Sequence, residues 1–287
     1  MNEHRQSHPL SLLLAAVLAL AALASAPAVA DPPSDALERG IAAYEAERFE
    51  KAYELLKPLA KEGGAEAQYR VAQMYGRPSL GGQDFGEAKV WLERAAKANH
   101  PDAILGLGYM HSNGMGVEED NNRAAEYYSD AAELGNKVAQ RNLGLFYKNG
   151  EGVERDHERA AEWFRLAAQQ GDAGAAYELG KLYRYGIGSI NQDYTQSAKW
   201  FYRAAHAGDE FAQYRLYSFH YQGMGVASDA EVALTWARFA AEGGHQMSAS
   251  VWESASERLD AETVERIERT VDEGVLPKWR DSGYQDG

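Results

Sequence analysis

The sequence predicts an all-α protein built from tandem helical hairpins, and three periodic features support this fold class. Small residues recur at steps of 36, 36, 36 and 37 positions, at Ala67, Ala103, Ala139, Ala175 and Ala212. An aromatic residue keeps the same phase, at Trp91, Tyr127, Trp163, Trp200 and Trp236. Glycine pairs separated by one residue follow the same repeat, at Gly114/Gly116, Gly150/Gly152, Gly186/Gly188 and Gly223/Gly225. A period of this length indicates stacked repeats, in which each hairpin packs against its neighbours to bury its apolar faces.

The first 30 residues have the layout of a secretory signal peptide. A polar start with Arg5 leads into an apolar stretch from Leu10 to Ala24, and small residues precede Asp31. Because signal peptidase requires small residues at this point, we expect cleavage after Ala30. The apolar stretch is shorter than the ~20 residues that span a bilayer comfortably, and an uncleaved anchor is the alternative. The mature chain is therefore expected to be periplasmic or secreted.

The third unit of the repeat shows how one hairpin forms. Apolar residues at helical spacing predict a first helix from Val138 to Lys148. The Gly150/Gly152 pair then breaks this helix, because glycine adopts the left-handed conformations that end helices. A second helix is predicted from His157 to Gln169, with Asp156 as its N-cap.

Five such units are predicted, and helical segments flank them on both sides. The units fill residues 65–100, 101–136, 137–172, 173–209 and 210–245. Residues 31–64 form a shorter N-terminal hairpin. Residues 246–287 are predicted to cap the last repeat with helices from Met247 to Leu259 and from Ala261 to Asp272, with Asp260 as an N-cap, before a tail. We expect one continuous run of hairpins without a second domain.

The motif within each unit resembles a known repeat. The third unit reads Ala139-x3-Leu143-Gly144-x2-Tyr147-x2-Gly150-x-Gly152-Val153-x2-Asp156-x3-Ala160-x2-Trp163-Phe164-x2-Ala167-Ala168-x2-Gly171. This pattern is similar to Sel1-like repeats, the glycine-looped relatives of tetratricopeptide repeats, and the 31–64 hairpin resembles an ordinary tetratricopeptide unit. The resemblance implies an α/α solenoid that forms a right-handed superhelix. The first unit departs from the pattern, since residues 76–82 replace its glycine pair.

The composition and motifs predict no catalytic, cofactor or metal site. The chain has no cysteine, which excludes disulfides and thiolate chemistry. Its net charge of -14 disfavours binding to nucleic acid or to anionic lipid, because both would repel it. The histidines show no metal-ligand spacing, and His111 and His220 stand where other repeats have tyrosine, so we interpret them as partly buried substitutes.

The predicted partner-binding surface is a stripe along the first helices, which are expected to line the concave face of such a solenoid. It lies opposite the core positions of each first helix and combines tyrosine with lysine and arginine, residue types that suit recognition. The predicted residues are Tyr69, Tyr109, Arg141, Lys148, Tyr177, Lys181, Arg184, Tyr185, Tyr214 and Tyr221. Solvated cations and core tyrosines would produce the same pattern, which is the alternative interpretation.

Two functions from different classes fit these features. The first is a non-catalytic periplasmic adaptor that holds a protein segment, and the second is a carbohydrate-binding module for cell-wall or exopolysaccharide strands. The resemblance implies roles in envelope assembly, exopolysaccharide secretion or signalling. It also implies a weakly β-lactam-hydrolysing branch, but that branch has a disulfide in every repeat, and this chain has no cysteine.

Overall fold

The computed structural model describes residues 35–78 and 82–278, which contain helices and no strand. The predicted signal peptide and the end of the predicted tail lie outside these residues. The helices within them are α1 (Asp35–Glu45), α2 (Phe49–Lys61), α3 (Ala65–Tyr75), α4 (Phe85–Lys97), α5 (Pro101–Asn113), α6 (Asn121–Glu133), α7 (Lys137–Asn149), α8 (His157–Gln169), α9 (Ala173–Tyr185), α10 (Tyr194–His206), α11 (Glu210–Gln222), α12 (Ala230–Glu242), α13 (Gln246–Ser256) and α14 (Ala261–Asp272). The predicted all-α class with tandem helix pairs is confirmed.

The described helices pack as two compact units, the first made of α1 to α7 and the second of α8 to α14, with the division between Arg155 and Asp156. In the first unit each helix from α1 to α7 packs on the next, and α1 also contacts α3. In the second unit the helices from α8 to α13 pack in the same sequential way, and α14 lies against α12. The division falls in the loop after α7, inside the third repeat. Helices in such repeats contact mainly their neighbours in the chain, so the packing can divide at a single loop.

Caps and glycines set the helix ends much as the sequence predicts. The Asp156 carboxylate accepts hydrogen bonds from the backbone N–H groups of Glu158 and Arg159, each at 3.0 Å, and starts α8 at the predicted residue. Gly150 ends α7 with a left-handed φ of 76°. The helix α13 ends at Ser256, before the predicted Leu259, because a turn replaces its last residues.

Small residues let neighbouring helices approach closely in the core. The periodic alanines are fully buried, at Ala67, Ala103, Ala139, Ala175 and Ala212. The periodic aromatic position is more variable: Trp91 and Trp236 are buried, whereas Tyr127, Trp163 and Trp200 keep part of their surface exposed. His111 and His220 are buried, as their interpretation as tyrosine substitutes requires.

A buried glutamine links successive hairpins at a repeated position. The side-chain amides of Gln68, Gln140 and Gln213 donate to the carbonyls of Ala60, Ala132 and Ala205, at 3.0, 3.1 and 3.4 Å. Each bond joins a first helix to the end of the helix before it. Ile104 and Ala176 occupy this position in the second and fourth repeats, and neither side chain can donate such a bond.

Within the first unit, polar side chains connect the N-terminal ends of successive first helices, α3 to α5 and α5 to α7. His100, the N-cap of α5, accepts from the Ala103 N–H through Nδ1 and therefore donates from Nε2 to Glu66, at 2.9 Å. Burial opposes ionisation of Glu66, but the His100 hydrogen bond and the Arg70 guanidinium lower its pKa to about 2. Asn136 repeats the contact one hairpin later, donating to Asp102 at 2.7 Å. These contacts fix the spacing between adjacent hairpins.

None of the helices within residues 35–78 and 82–278 combines the length and apolarity that a membrane crossing requires.

Candidate partner-binding surface

The predicted stripe residues are divided between the two units. Tyr69, Tyr109, Arg141 and Lys148 lie on α3, α5 and α7 of the first unit. Tyr177, Lys181, Arg184, Tyr185, Tyr214 and Tyr221 lie on α9 and α11 of the second. All ten therefore lie on first helices, but the two groups differ in exposure.

Tyr69 does not belong to a binding surface, because its side chain is 1% exposed. Its ring stacks on His100 at 4.8 Å, and Gln73 donates a hydrogen bond to its hydroxyl at 2.9 Å. Arg70 lies over both Tyr69 and Tyr44, which connects the ring to the N-terminal hairpin. The N-terminal hairpin adds packing at this repeat, so a position on the predicted surface becomes core.

The other predicted residues of the first unit are half-buried. Burial raises the pKa of Tyr109, as expected for a phenol that has lost part of its hydration. Arg141 and Lys148 lie seven positions apart on α7, which places them on the same side of that helix two turns apart. Of the residues predicted to bind a partner, the described part of the first unit therefore keeps three partly exposed side chains: the ring of Tyr109 and the cations Arg141 and Lys148.

The second unit carries a group of exposed and half-buried side chains, mostly aromatic rings, which we call the aromatic face. It comprises Tyr177, Tyr185, Phe211, Tyr214, Tyr217, Tyr221, His245 and Met247, on α9, α11 and the start of α13. Spacings of three and four residues along α11 bring its four rings to one side of the helix. The exposed fractions of Tyr185, Phe211, Met247 and Tyr221 are 53%, 52%, 59% and 63%. Large side chains with an apolar body are thus left uncovered along successive first helices.

Four rings of the aromatic face form a stacked row. His245 and Tyr214 lie 4.5 Å apart between ring centroids, with 27° between their planes. Tyr214 and Tyr217 follow at 5.8 Å and 26°, and Tyr217 and Tyr221 at 5.7 Å and 32°. Each ring limits the rotamers of the next, so the row is held in place before any partner binds.

Phe211 and Met247 join this row to its neighbouring helices. The Phe211 ring lies 6.4 Å from Tyr177 on α9 and meets His245 edge-on at 5.5 Å. The Tyr214 hydroxyl donates to the Met247 sulfur at 2.8 Å. Three consecutive first helices therefore contribute to one surface.

The cations beside the aromatic face differ in their pairing. Lys181 forms an ion pair with Glu178 at 2.9 Å and lies 5.4 Å from the Tyr177 ring. The Arg184 guanidinium lies 5.2 Å from the Tyr185 ring and 5.7 Å from the Phe219 ring, and no carboxylate of the described residues pairs with it. The predicted stripe is therefore less basic than its sequence indicates, since Glu178 balances one of its charges.

The sequence interpretation missed Phe211, Tyr217, His245 and Met247. Tyr217 replaces the glycine that follows a leucine in the three repeats before it, at Gly108, Gly144 and Gly180, and that departure from the pattern was the available signal. Phe211 lies three residues before Tyr214 and shares its side of α11, so helical spacing alone could have added it. His245 and Met247 lie at the start of the next hairpin, where the predicted fifth unit ends at residue 245 and the predicted capping helix begins at Met247.

The described residues point to non-covalent recognition. No group of three or more histidines and carboxylates within them is placed to hold a metal ion. The aromatic face offers rigid ring edges, phenol hydroxyls and one arginine without a carboxylate partner, which are groups that suit contacts with another macromolecule.

Two solved structures resemble this chain over most of its length. A Sel1 repeat protein from Oxalobacter formigenes is 28% identical, with a TM-score of 0.71, and the match covers 83% of this chain and 99% of that one. The uropathogenic Escherichia coli protein c5321, described as a protective antigen displaying an SLR fold, is 28% identical with a TM-score of 0.72. That match covers 83% of this chain and 53% of the antigen, so this chain spans about half of its length.

The Sel1 repeat model matches five segments, at residues 65–100, 101–136, 137–172, 173–209 and 211–245. Proteins built from Sel1 repeats generally serve as non-catalytic scaffolds that mediate protein–protein interactions. The matched segments make up more than half of the sequence, and they contain the helix pairs and glycine turns described above. The chain belongs to the Sel1 repeat family.

Proposed function

We propose that this protein is a non-catalytic adaptor that binds a protein partner through the aromatic face of its second unit. The observation that carries the proposal is the stacked row of His245, Tyr214, Tyr217 and Tyr221, flanked by the exposed side chains of Phe211 and Met247. Tyrosine and other aromatic residues dominate binding hot spots, because they bury large areas with little loss of side-chain entropy.

The geometry of the row favours a protein over a carbohydrate partner. Sugars stack on ring faces, but Tyr214 and Tyr217 each have two neighbouring rings at 4.5 to 5.8 Å that compete for this stacking. Their edges and hydroxyls remain for a partner, and these suit side chains and backbone amides. A carbohydrate-binding module is the second candidate, favoured by the exposed rings of Tyr185 and Tyr221. Retention on purified cell-wall or exopolysaccharide strands would support that candidate.

The predicted signal peptide makes the cell envelope the proposed location of this interaction. Residues 1–30 carry the export pattern, and the chain has no cysteine for an oxidising compartment to act on. A periplasmic adaptor would hold a segment of an envelope, exopolysaccharide or signalling component.

Photo-cross-linking from the aromatic face tests the proposal. A photoreactive amino acid at Tyr221 should give a discrete cross-linked protein in cells, identifiable by mass spectrometry. The matched control is Leu166 on α8, which is 44% exposed and belongs to a second helix of the same unit. If position 166 captures the same protein as strongly, or if position 221 captures none, the proposed surface is wrong.

A further inference from the structure

A second surface lies in the first unit and shares no residue with the aromatic face. It is an open groove of about 750 Å³ between the outer sides of α4 and α6, with α5 as its floor. Ile104 and Leu107 form the apolar floor, and Ala96 and Leu134 line its sides. Leu134 is 42% exposed, although leucine is a side chain that folding normally covers.

The groove lies where the repeating glutamine is missing. In the first, third and fifth repeats a glutamine amide donates to a carbonyl eight residues earlier. Ile104 takes this place in the second repeat, and Ala96 is the residue eight positions before it. The Ala96 carbonyl accepts a backbone bond from Asn99, but no side chain of the described residues donates to it. The groove therefore contains a carbonyl that lacks the side-chain donor found in the first, third and fifth repeats.

The rim of the groove is predominantly acidic. Glu93, Asp130 and Glu133 line it, together with Lys97 as a basic group. Glu93 pairs with Lys89 at 3.2 Å, whereas Asp130 and Glu133 form no ion pair among the described residues. An apolar floor, a carbonyl acceptor and carboxylates form a combination that complements a long basic side chain, whose alkyl stem is apolar and whose head donates hydrogen bonds.

We propose that this groove binds an arginine or lysine side chain of a polypeptide partner, together with an adjacent apolar residue. The alkyl stem packs on Ile104 and Leu134, and the charged head donates to the Ala96 carbonyl and to Asp130 and Glu133. This site is independent of the aromatic face, and its charge preference agrees with the net charge of -14 of the whole chain.

The substitution Ile104→Gln tests the proposal most sharply. It introduces the side chain that occupies this position in three other repeats, so the fold should be kept while the apolar floor gains a polar amide and the Ala96 carbonyl gains a donor. The probe is a capped, fluorescein-labelled peptide of alternating arginine and leucine, titrated against the mature chain by fluorescence anisotropy. We expect Ile104→Gln to weaken binding at least about tenfold, since it removes the apolar contact of Ile104 and occupies the Ala96 carbonyl.

Three controls separate this groove from other binding modes. The same peptide with citrulline, an uncharged analogue of arginine, should bind at least about tenfold more weakly, and so should the Asp130→Asn, Glu133→Gln double variant. A variant of the aromatic face, with alanine at Phe211, Tyr221 and Met247, should bind as the wild type does. The proposal is overturned if the wild type shows no saturable binding, if Ile104→Gln or the citrulline peptide binds unchanged, or if the variant of the aromatic face loses binding.

Discussion

Replacing Gly152 with alanine should destabilise the first unit far more than the same change at Gly135. Both glycines have left-handed φ angles, 63° at Gly152 and 86° at Gly135. A Cβ atom at Gly152 would lie 2.0 Å from the backbone oxygen of Asn121, at the start of α6, whereas a Cβ at Gly135 meets nothing within 4 Å. Comparing the two alanine variants therefore separates the cost of a left-handed backbone, which both share, from the cost of a steric clash with the neighbouring hairpin, which only Gly152→Ala has.

The two costs can be estimated from this geometry. A left-handed non-glycine residue costs about 1–2 kcal/mol, and this is the whole cost expected at Gly135. At Gly152 the clash involves backbone atoms, which no rotamer change relieves, so α6 and the turn must move apart. Such overpacking adds about 1–3 kcal/mol, which gives a total of about 2–5 kcal/mol.

Thermal unfolding followed by circular dichroism measures the difference. For a chain of this size, each 1 kcal/mol lowers Tm by about 2–4 °C, so Gly152→Ala should melt several degrees below Gly135→Ala. Equal decreases in Tm for the two variants would refute the claim that Gly152 must be glycine because the backbone of the preceding hairpin lies so close to it. Neither change should alter the helical signal at low temperature.

Three further predictions follow from the ion pairs and hydrogen bonds. The folded-state pKa of Glu66, about 2, lies below its ordinary value of 4.5, so its contribution is fully present above pH 4.5 and is lost as the pH falls towards 2. Glu66→Gln should therefore lower the free energy of unfolding by about 2–3 kcal/mol at neutral pH, and urea titrations should show this difference shrinking with acidification. In the proposed complex, Arg184→Gln should weaken binding about tenfold and Lys181→Gln by less, as isothermal titration calorimetry with the cross-linked partner can measure, since Glu178 already pairs with Lys181. Gln140→Leu removes the bridging hydrogen bond and should cost about 1 kcal/mol in urea unfolding.

The repeat period made the helices predictable almost residue by residue. The second helix of the third unit begins at His157 and ends at Gln169 in both the prediction and the structure. This agreement has a local cause, because an aspartate cap and a glycine turn fix the ends of a helix whatever packs around it. The early end of α13 at Ser256 shows the limit, since no glycine marks that position.

The candidate site was less predictable, because exposure depends on which neighbours cover each first helix. Tyr69 and Tyr214 hold the same place in their repeats and stack on the equivalent histidines, His100 and His245. The N-terminal hairpin adds cover to the first ring, whereas the second remains partly exposed. Periodicity assigns both residues to one stripe and cannot distinguish them.

Pairing of charges was hidden from the sequence in the same way. Lys181 and Arg184 appear equivalent on a helical wheel, but Glu178 pairs with Lys181 alone. The groove in the first unit also depends on a substitution within the repeat, since Ile104 stands where the first, third and fifth repeats have glutamine. Departures from the repeat motif were therefore the most informative positions for function.

The affinity of the partner cross-linked through Tyr221 tests the central claim most directly. Calorimetry with the purified partner would compare the wild type, the variant with alanine at Phe211, Tyr221 and Met247, and Leu166→Ala as the exposed control on α8. Truncation of three hot-spot side chains should weaken binding by about a hundredfold or more, while Leu166→Ala should leave the Kd unchanged. Equal affinities for all three proteins, each with an unchanged unfolding midpoint, would contradict the account of the aromatic face as the partner-binding surface.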